Sequence, residues 1–323
     1  MAGLMDALQW PDDRLDAAEF SRQWRIIRPA FLERMRTHRL PEALADSLAA
    51  VYLPLATWLM KKRRKSPFVL GINGAQGSGK STLCDFLALI LTVIHAQRIA
   101  GFSIDDLYRT RAEREKLARE IHPLLITRGV PGTHDVALGL DTLRQLKTAT
   151  HSTRTALPSF DKAQDDRRPE RDWPLFRGRP DIIIFEGWCV GSRPQPDAAL
   201  IKPVNDLERL EDSDGVWRRH VNAQLKADYA VLFAELDGLI FLKVPGMDRV
   251  FEWRSLQEQK LRESSANTGT RLMDADAIRR FIMHYERLTR HNLEELPERA
   301  DLTLHVNEYH GFSRADVKAA AGK

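Results

Sequence analysis

Short apolar runs alternate with longer amphipathic stretches along most of this chain. The runs are rich in Ile, Leu, Val and Phe and are bounded by Gly, Pro or charged residues, which is typical of strands buried on both faces in a parallel sheet. The stretches between them carry apolar residues three or four positions apart, which predicts helices with one buried face. The predicted strands are residues 68–73, 98–104, 155–158, 181–188, 239–244 and 302–306.

The predicted helices follow these strands in regular alternation. Residues 13–65 also show helical spacing, with Pro41 opening a second helix before the first strand. We therefore expect an α/β fold, in which a parallel sheet of about five strands has helices on both faces. An N-terminal helical extension would cover residues 1–65 and the main domain residues 66–323, with a frayed tail from Gly311. The other predicted helices are residues 83–94, 136–146, 214–236, 247–262 and 274–296.

Composition and charge are those of an ordinary globular protein. The 323 residues are 43% hydrophobic and 29% charged. The net charge of +4 comes from 49 basic and 45 acidic residues, and this balance gives no argument for nucleic acid. The longest uncharged apolar stretch, residues 48–60, contains Pro54 and is too short to span a bilayer. Residues 1–20 lack the apolar core of a targeting segment, so we expect a cytoplasmic protein that binds neither nucleic acid nor a membrane.

Two local features have ordinary explanations. Cys84 and Cys189 are too few for a disulfide framework or a metal cluster, and we interpret them as packing residues in a reducing compartment. The basic run at residues 61–65 is similar to a nucleic-acid or membrane patch. A short run that leads straight into a strand is better explained as a helix end, where cations complement the helix dipole.

The candidate chemistry begins in the segment Gly74-Ala-Gln-Gly-Ser-Gly-Lys-Ser-Thr82, which we call the phosphate loop. It matches the pattern G-x-x-x-x-G-K-[ST], and the predicted strand before it and helix after it supply the context that this pattern requires. Its backbone N–H groups and the helix N-terminus form a cradle for phosphate oxygens. We expect Lys80 to reach the β and γ phosphates and the Ser81 hydroxyl to bind Mg²⁺. The nucleotide-binding residues are Gly74, Ala75, Gln76, Gly77, Ser78, Gly79, Lys80, Ser81 and Thr82.

Carboxylates follow two other predicted strands. Asp105 and Asp106 come after the second strand, at the sheet edge where open α/β sheets bind ligands. One of them is suited to accept a proton from a substrate hydroxyl, and the alternative is an Asp pair that only caps the next helix. Glu186 closes the strand at 181–188, where an unpaired buried charge is expensive. We therefore assign Glu186 to Mg²⁺ or to its water.

Two loops carry polar groups that are candidates for an acceptor site. Gly and Pro interrupt the segment 121–135, and loops held on a rigid scaffold often carry binding residues. Its Asp135 is alternatively a first-turn charge of the following helix. The densely charged segment 165–172 predicts a solvated, mobile loop that is also suited to hold an anion. The polar groups of the first loop are Arg128, His134 and Asp135.

A lid is predicted around residues 247–263, in the helix that follows the strand at 239–244. Cations on a helix in this position are suited to close over the phosphates. An ordinary solvated face is an equal alternative for each of these side chains. They are Arg254, Gln257, Lys260 and Arg262.

Several motifs together resemble known families. The phosphate loop, Ser103-Ile-Asp-Asp-Leu-Tyr108 and Phe185-Glu-Gly187 are similar to motifs of the phosphoribulokinase, uridine kinase and pantothenate kinase superfamily. A closer resemblance covers residues 66–309. It is carried by Arg128-Gly-Val-Pro-Gly-Thr-His-Asp135, Phe160-Asp-Lys162, Asp166-Arg167, Phe185-Glu-Gly-Trp188 and Trp253-Arg254. These motifs resemble those of plant-type D-glycerate 3-kinases and their fungal and bacterial relatives.

The resemblance implies a P-loop NTPase fold that phosphorylates a small hydroxyl-bearing substrate, D-glycerate, with ATP and Mg²⁺. In the superfamily pattern Asp105 is the proton acceptor and Asp106 the next candidate. Lys80 and Ser81 take the phosphate and Mg²⁺ roles, and Glu186 holds Mg²⁺ or its water. Arg254 is the lid candidate for transition-state charge. A glycerate carboxylate needs cations or donors, and the positions placed near it are Asp106, Arg128, His134, Lys162 and Arg167.

One departure and two other hypotheses stand beside this interpretation. Leu107 occupies a position where the family often has an aromatic residue, which would reshape the acceptor pocket. The acceptor is alternatively pantothenate, a nucleoside or another sugar acid, although Arg, Lys and His in the acceptor region favour an anionic hydroxy acid. The chain is alternatively a nucleotide-dependent regulatory ATPase, with the N-terminal helices as a partner surface. The sequence predicts no oligomeric state.

Overall fold

A six-stranded sheet forms the centre of the molecule. The computed structural model of the chain describes residues 15–264 and 274–318. Its strands are β1 (Phe68–Gly74), β2 (Ile99–Ser103), β3 (Arg154–Ala156), β4 (Phe160–Asp161), β5 (Asp166–Arg167), β6 (Leu175–Arg177), β7 (Ile182–Gly187), β8 (Gly238–Lys243), β9 (Leu302–Val306) and β10 (Phe312–Val317). The sheet order is β10-β9-β8-β1-β7-β2, and every neighbouring pair is parallel except β9 with β10. Strands β3 and β6, and β4 and β5, form two small antiparallel pairs.

Helices connect most of these strands. They are α1 (Ala17–Thr37), α2 (Ala45–Lys62), α3 (Lys80–Val93), α4 (Arg111–Glu120), α5 (Val136–Thr148), α6 (Asp206–Glu211), α7 (Val216–Lys226), α8 (Asp228–Ala234), α9 (Met247–Ser264) and α10 (Ala275–Arg299).

Alternate residues of the central strand face two separate hydrophobic clusters. Leu70 and Ile72 of β1 lie in a cluster with residues of α1, α2 and α3. Val69 lies in a second cluster, on the other face, with residues of α5, α7 and α8. Since both faces of the strand are buried, an almost continuous apolar run is what such a strand requires. The predicted α/β fold with helices on both faces is confirmed.

Helices α1 and α2 pack against α3, the helix that follows the phosphate loop. The ring centroids of Phe31 and Phe86 lie 4.4 Å apart. The carboxylate of Asp85 on α3 accepts a hydrogen bond from Arg34 and, at 2.7 Å, pairs with Nε2 of His38. These helices therefore share one hydrophobic cluster with the sheet, while the predicted boundary at residue 65 stays a prediction.

Helix α2 lies in the core although its composition resembles that of a membrane span. The helical segment Glu42–Lys62 is long and apolar enough to cross a bilayer by composition alone, which corrects the expectation drawn from the shorter stretch 48–60. In the folded chain 56% of the apolar 18-residue window within this segment is buried. Ala49, Leu53 and Ala56 are completely buried in the cluster shared with α1 and α3. The apolar composition of α2 is therefore used for packing within the molecule.

The basic run at 61–65 is used for contacts within the chain. Its partners are aspartates that immediately precede β7, β8 and β9, at the amino edge of the sheet. These ion pairs attach the end of α2 to that edge, with exposed lysine heads in water. The nitrogen–oxygen distances are 2.7 Å for Lys62–Asp301, 3.8 Å for Arg63–Asp181 and 2.8 Å for Lys65–Asp237.

Two predicted elements differ from the structure. In the tail that was expected to be frayed from Gly311, residues 312–317 instead form β10, which pairs with the edge strand β9 and buries Ala315. Its other side chains are mostly polar, so the sequence carries little strand signal there. The single helix predicted over 214–236 is two helices, since Ala227 adopts a non-helical backbone with φ −99° and ψ −111°. Neither Ala227 nor Asp228 is a strong helix breaker, so composition does not predict the break.

Candidate active site

Three neighbouring strands end at the same level of the sheet. Glu186 of β7 is in register with Ser103 of β2 on one side and with Ile72 of β1 on the other. The segments that follow β1, β2 and β7 therefore meet at one edge. This is the carboxyl edge, where open parallel sheets bind ligands.

The phosphate loop turns sharply between β1 and α3. Gly77 and Gly79 both have positive φ, +77° and +89°, a conformation that only glycine adopts without strain. A Cβ on Gly77 would lie 2.8 Å from the Cβ of Trp253 in α9. The Lys80 ammonium donates to the Ala75 carbonyl at 3.2 Å, which brings the cation over the loop. The loop is thus enclosed between the N-terminus of α3 and the start of α9.

Ser81 and Glu186 form the candidate metal site. The Ser81 hydroxyl donates to Oε1 of Glu186 at 3.0 Å. Hydroxyl and carboxylate oxygens are the hard ligands that Mg²⁺ prefers, and Mg²⁺ usually takes few protein ligands beside phosphate oxygens and water. The described residues contain no group of three or more His, Cys, Asp and Glu that could enclose a metal by themselves. This pair therefore fits a Mg²⁺ ion that is shared with nucleotide phosphates.

Asp105 lies in a 3₁₀ turn directly after β2, with both carboxylate oxygens hydrogen-bonded. The Tyr108 hydroxyl donates to Oδ1 at 2.7 Å, and the Lys162 ammonium donates to Oδ2 at 2.7 Å. Burial raises the pKa of Asp105, but the charge and hydrogen bond of Lys162 and the bond from Tyr108 outweigh it and lower the pKa to about 2. The sequence motif located Asp105, whereas nothing in the sequence indicated that Tyr108 and Lys162 would hold it.

The charges of both Asp105 and Glu186 act on Lys162. Its pKa is raised, mainly by the charge of Asp105, and the charges of Arg128 and Glu186 also act on it. Two cations, Lys162 and Arg128, thus lie near one candidate base. Such an arrangement attracts an anionic acceptor.

Asp106 caps the 3₁₀ turn that follows β2, and its role in substrate binding stays a prediction. Its carboxylate accepts a hydrogen bond from the backbone N–H of Ser103 at 3.0 Å and completes the cap of the 3₁₀ turn. Burial raises the pKa of Asp106 to about 6, and the neighbouring charge of Asp105 adds to this effect. The structure therefore gives Asp106 the capping role that was the alternative for this pair. The two carboxylates are separated in proton affinity, which is typical of a pair with different tasks.

His134, which was placed near the acceptor as a cation or donor, is buried, and its role in acceptor binding stays a prediction. The side chain is 1% exposed and stacks on the Tyr108 ring with centroids 4.7 Å apart. The Tyr229 hydroxyl accepts from the Gly132 N–H at 3.0 Å and lies 2.6 Å from Nδ1 of His134. Burial lowers the pKa of His134 to about 3, so the ring is neutral and supports Tyr108.

The two predicted arginines hold the loops of the site together. Arg167 donates to the Tyr108 carbonyl at 2.9 Å and to Asp135 at 3.1 Å, and its role as a substrate ligand stays a prediction. Asp135 also caps α5 by accepting from the Leu138 N–H at 3.0 Å. Arg128 pairs with Asp165, and its guanidinium lies 5.6 Å from the Phe160 ring centroid. Arg128 is therefore near the acceptor region but already partnered.

The charged segment 165–172, which was predicted to be a solvated and mobile loop, is anchored at its first residues. Arg114 is 1% exposed and pairs with Asp165 at 3.0 Å. Asp166 accepts from the Arg111 N–H at 3.0 Å. A buried arginine is rarely recognised from sequence, because its position in α4 reads as an ordinary charged helix face. These contacts fix the β4–β5 hairpin, which carries Lys162.

Helix α9 places Arg254 beside the phosphate loop. The side chain is 12% exposed, pairs with Glu258 at 2.8 Å and lies 5.5 Å from the Phe281 ring centroid. The charges of Asp105, Arg128 and Arg254 all act on the Tyr285 hydroxyl, so Arg254 is within electrostatic reach of the acceptor region. The side chains of Gln257, Lys260 and Arg262 lie outside the described residues.

Two known proteins that are similar to this chain are kinases. No protein-family model matches the chain. The uncharacterised kinase mug58 of Schizosaccharomyces pombe is 34% identical over 228 residues, which are 68% of this chain and 78% of that protein. The chloroplastic D-glycerate 3-kinase of Arabidopsis thaliana is 30% identical over 227 residues, 68% of this chain but only 46% of that enzyme.

Two solved structures share the fold. A D-glycerate 3-kinase from Cryptococcus neoformans superposes with a TM-score of 0.69 at 23% identity and covers 83% of this chain and 99% of its own. The YGR205w protein superposes with a TM-score of 0.63 at 24% identity, covering 82% of this chain and 94% of its own. At these identities the likeness establishes the fold.

Proposed function

The chain belongs to the plant-type D-glycerate 3-kinase family of P-loop kinases, and we propose that it transfers the γ-phosphoryl group of ATP to a hydroxyl of D-glycerate. One observation carries the proposal. Asp105, a proton acceptor, lies 2.7 Å from the Lys162 ammonium at the same sheet edge as the phosphate loop. A hydroxy acid needs both groups, a base for its hydroxyl and a cation for its carboxylate.

The nucleotide side of the proposed reaction uses the phosphate loop. Its N–H groups and Lys80 bind the phosphates, and catalysis of phosphoryl transfer is mainly positioning and electrostatic stabilisation. Ser81 and Glu186, 3.0 Å apart, are the residues that hold Mg²⁺, which neutralises phosphate charge when it is bound. Arg254 is the residue of α9 proposed to stabilise charge on the transferred group.

The acceptor side uses Asp105 as base. The substrate carboxylate is held by Lys162, with Arg128 adding positive charge beside it. These cations favour an acid over a nucleoside as the acceptor. A nucleoside would instead need an aromatic surface on which its nucleobase could stack. The exposed fraction of the Lys162 side chain, 61%, leaves it accessible to a small acceptor.

The test is the release of ADP from Mg·ATP in a panel of acceptors. The panel contains D-glycerate, L-glycerate, pantothenate, uridine, ribulose 5-phosphate and a sample without acceptor. We expect strong stimulation by D-glycerate alone. Lys80→Ala should remove the stimulation, since it deletes the cation that faces the β and γ phosphates.

The panel also separates the alternatives. Stimulation by another compound would keep the kinase activity and replace the substrate. Equal and slow turnover in every sample would contradict the proposed reaction and favour a nucleotide-dependent regulatory ATPase. A search for a protein that accelerates the hydrolysis would then be the next experiment.

A further inference from the structure

The candidate base is covered from two sides by groups of different mobility. The Tyr108 hydroxyl, on Oδ1 of Asp105, belongs to a side chain that is 2% exposed, stacked on the His134 ring and in edge contact with the Phe160 ring. The Lys162 ammonium, on Oδ2, belongs to a side chain that is 61% exposed. One of the two covers is therefore fixed by packing, and the other is a flexible chain in contact with solvent.

The backbone beneath Lys162 is held in place independently of its ammonium group. In the turn between β4 and β5, Oδ1 of Asp161 accepts from the N–H groups of Ala163 and Gln164 at 2.9 and 3.2 Å. Asp161 also pairs with Arg168 at 3.0 Å. The turn can therefore stay in position while the four-carbon stem of Lys162 changes rotamer, a motion of exposed side chains that takes picoseconds to nanoseconds.

Lys162 is the cation that an arriving carboxylate can recruit. Arg128 is paired with Asp165, and Arg167 is held by the Tyr108 carbonyl and by Asp135. Both arginines would have to break contacts that fix the loops. Lys162 would only exchange the carboxylate of Asp105 for that of the acceptor. One ion pair would be broken and one formed.

We propose that Lys162 determines acceptor specificity by covering Asp105 until the carboxylate of a hydroxy acid draws it away. This inference rests on the proposed kinase function of the same site. In the absence of an acid, the ammonium neutralises the base and occupies Oδ2. A water molecule or a neutral alcohol cannot compete for the ammonium, because neither carries a charge. A carboxylate can, and its hydroxyl then meets an uncovered base.

The chemical step follows from the exchange. Oδ2 of Asp105 accepts the proton of the acceptor hydroxyl while the hydroxyl oxygen forms a bond to the γ-phosphorus of ATP. The bond between that phosphorus and the bridging oxygen breaks, and ADP leaves with the electron pair. Asp105 afterwards returns the proton to solvent. The cover thereby suppresses transfer of the phosphoryl group to water when no acid is bound.

The test uses Lys162→Met in the full chain, since methionine keeps most of the stem and removes the charge. Initial rates of ADP release are measured with Mg·ATP alone, with D-glycerate and with glycerol, which has the hydroxyls but no carboxylate. We expect the ratio of kcat/KM for D-glycerate to that for glycerol to fall about tenfold or more, as one charge-assisted hydrogen bond is lost. We also expect acceptor-free ADP release to rise, because the base is uncovered.

Two variants serve as controls. Lys162→Arg restores the charge and should keep acceptor-free release low and the preference for D-glycerate. Lys116→Met removes an equally exposed lysine on α4, 66% exposed, and should behave as wild type. Calorimetric titration with Mg·ADP reports whether each variant is folded, and Lys162→Gln replaces Lys162→Met if the latter is not.

The outcomes separate this inference from the proposed function. If D-glycerate stimulates the wild-type protein and Lys162→Met changes neither acceptor-free release nor the preference over glycerol, the covering role is overturned and the kinase function stands. A higher KM for D-glycerate without a rise in acceptor-free release also overturns it, since Lys162 then only binds substrate. If D-glycerate fails to stimulate the wild-type protein, the proposed function fails first, and the inference fails with it.

Discussion

Asp105 and Asp106 are adjacent in sequence, but their carboxylates face different partners. Asp105 faces Tyr108 and Lys162, and Asp106 faces the N–H of Ser103. We expect Asp105→Asn to lower kcat by about two to four orders of magnitude, because an amide cannot accept the acceptor proton. The affinity for Mg·ADP should be unchanged, since the phosphate loop is intact. Rates of ADP release and calorimetric titration measure the two effects.

The matched control is Asp106→Asn. Its amide oxygen can still accept the N–H of Ser103, so the turn and the turnover should be retained. The opposite ranking, with Asp105→Asn active and Asp106→Asn inactive, would assign the base to Asp106.

Asp106 also gives the stability of the protein a pH dependence. Burial raises its pKa from 3.8 to about 6, so between these values the folded protein holds a proton that the unfolded chain releases. The resulting contribution to stability is fully present below pH 3.8 and is lost as the pH rises through about 6. We expect Asp106→Asn to raise the free energy of unfolding at pH 8 by on the order of 2 kcal/mol, with no difference near pH 4. Urea unfolding at the two pH values measures this, and an equal gain at both would contradict the raised pKa.

Sequence motifs locate site residues from their near neighbours in the chain. The environment of a site residue can instead depend on a partner that is remote in the chain. Lys80, Ser81 and Asp105 belong to local patterns, each within a few residues of a strand end, and the sequence places them at the correct edge. The environment of His134 comes from Tyr229, 95 residues later. Burial against such a remote partner removes the charge that residue type alone suggests, and no local pattern contains that information.

At the scale of elements, the turn of the phosphate loop was predictable from sequence because it depends on glycine. The packing of α9 against this loop was not predictable. Gly77 and Gly79 share positive φ, but only Gly77 approaches α9: a Cβ there would lie 2.8 Å from the Cβ of Trp253. Among the described residues, no heavy atom outside the immediate chain neighbours lies within 4 Å of a Cβ on Gly79. The contact joins segments far apart in sequence, so spacing within the loop carries no sign of it.

These two glycines provide a matched test of the position of α9. Gly77→Ala and Gly79→Ala should each lower the free energy of unfolding by about 1–2 kcal/mol through backbone strain. Gly77→Ala should cost about 1–3 kcal/mol more, because overpacking displaces Trp253. Urea unfolding without nucleotide, followed by tryptophan fluorescence, measures the difference. Equal losses in the two variants would show that α9 does not rest on the loop, and the predicted lid would lose its basis.

The sequence pattern wrongly predicts those elements that form because of tertiary contacts. Strand β10 buries Ala315 but exposes Ser313 and Arg314, and it exists because β9 offers an unpaired edge. The break at Ala227 brings Tyr229, which is completely buried, beneath His134. In both cases a tertiary contact outweighs a weak local preference, which is why periodicity gave a frayed tail and one continuous helix.

At the scale of the whole molecule, the layering of helices on both faces of the sheet follows from the hydrophobic pattern, whereas the strand order does not. The same alternation of strands and helices is compatible with several orders, and the observed β10-β9-β8-β1-β7-β2 depends on which edges meet. The division into an N-terminal helical extension, residues 1–65, and a main domain also stays a prediction. Helix α1 contributes buried residues to the cluster that supports β1 and α3, which suggests a test by mutation.

Adjacent isoleucines on α1 give that test a matched pair. Ile27 is completely buried and Ile26 is 50% exposed. We expect Ile27→Ala to lower the free energy of unfolding by about 2–5 kcal/mol through the cavity it leaves, and Ile26→Ala to change it by less than about 0.5 kcal/mol. Urea unfolding is followed by far-ultraviolet circular dichroism and, in parallel samples, by Mg·ADP binding.

The experiment compares the urea concentrations at which helicity and Mg·ADP binding are lost. Whether the two losses coincide shows whether α1 unfolds together with the sheet domain. If α1 folds as part of the sheet domain, Ile27→Ala shifts the loss of helicity and the loss of nucleotide binding to the same lower urea concentration, because α3 begins at the phosphate loop and is packed on α1. If nucleotide binding persists at the wild-type urea concentration while part of the helicity is lost earlier, residues 1–65 form an independent extension with a boundary at residue 65. A two-state transition common to both probes would contradict that boundary.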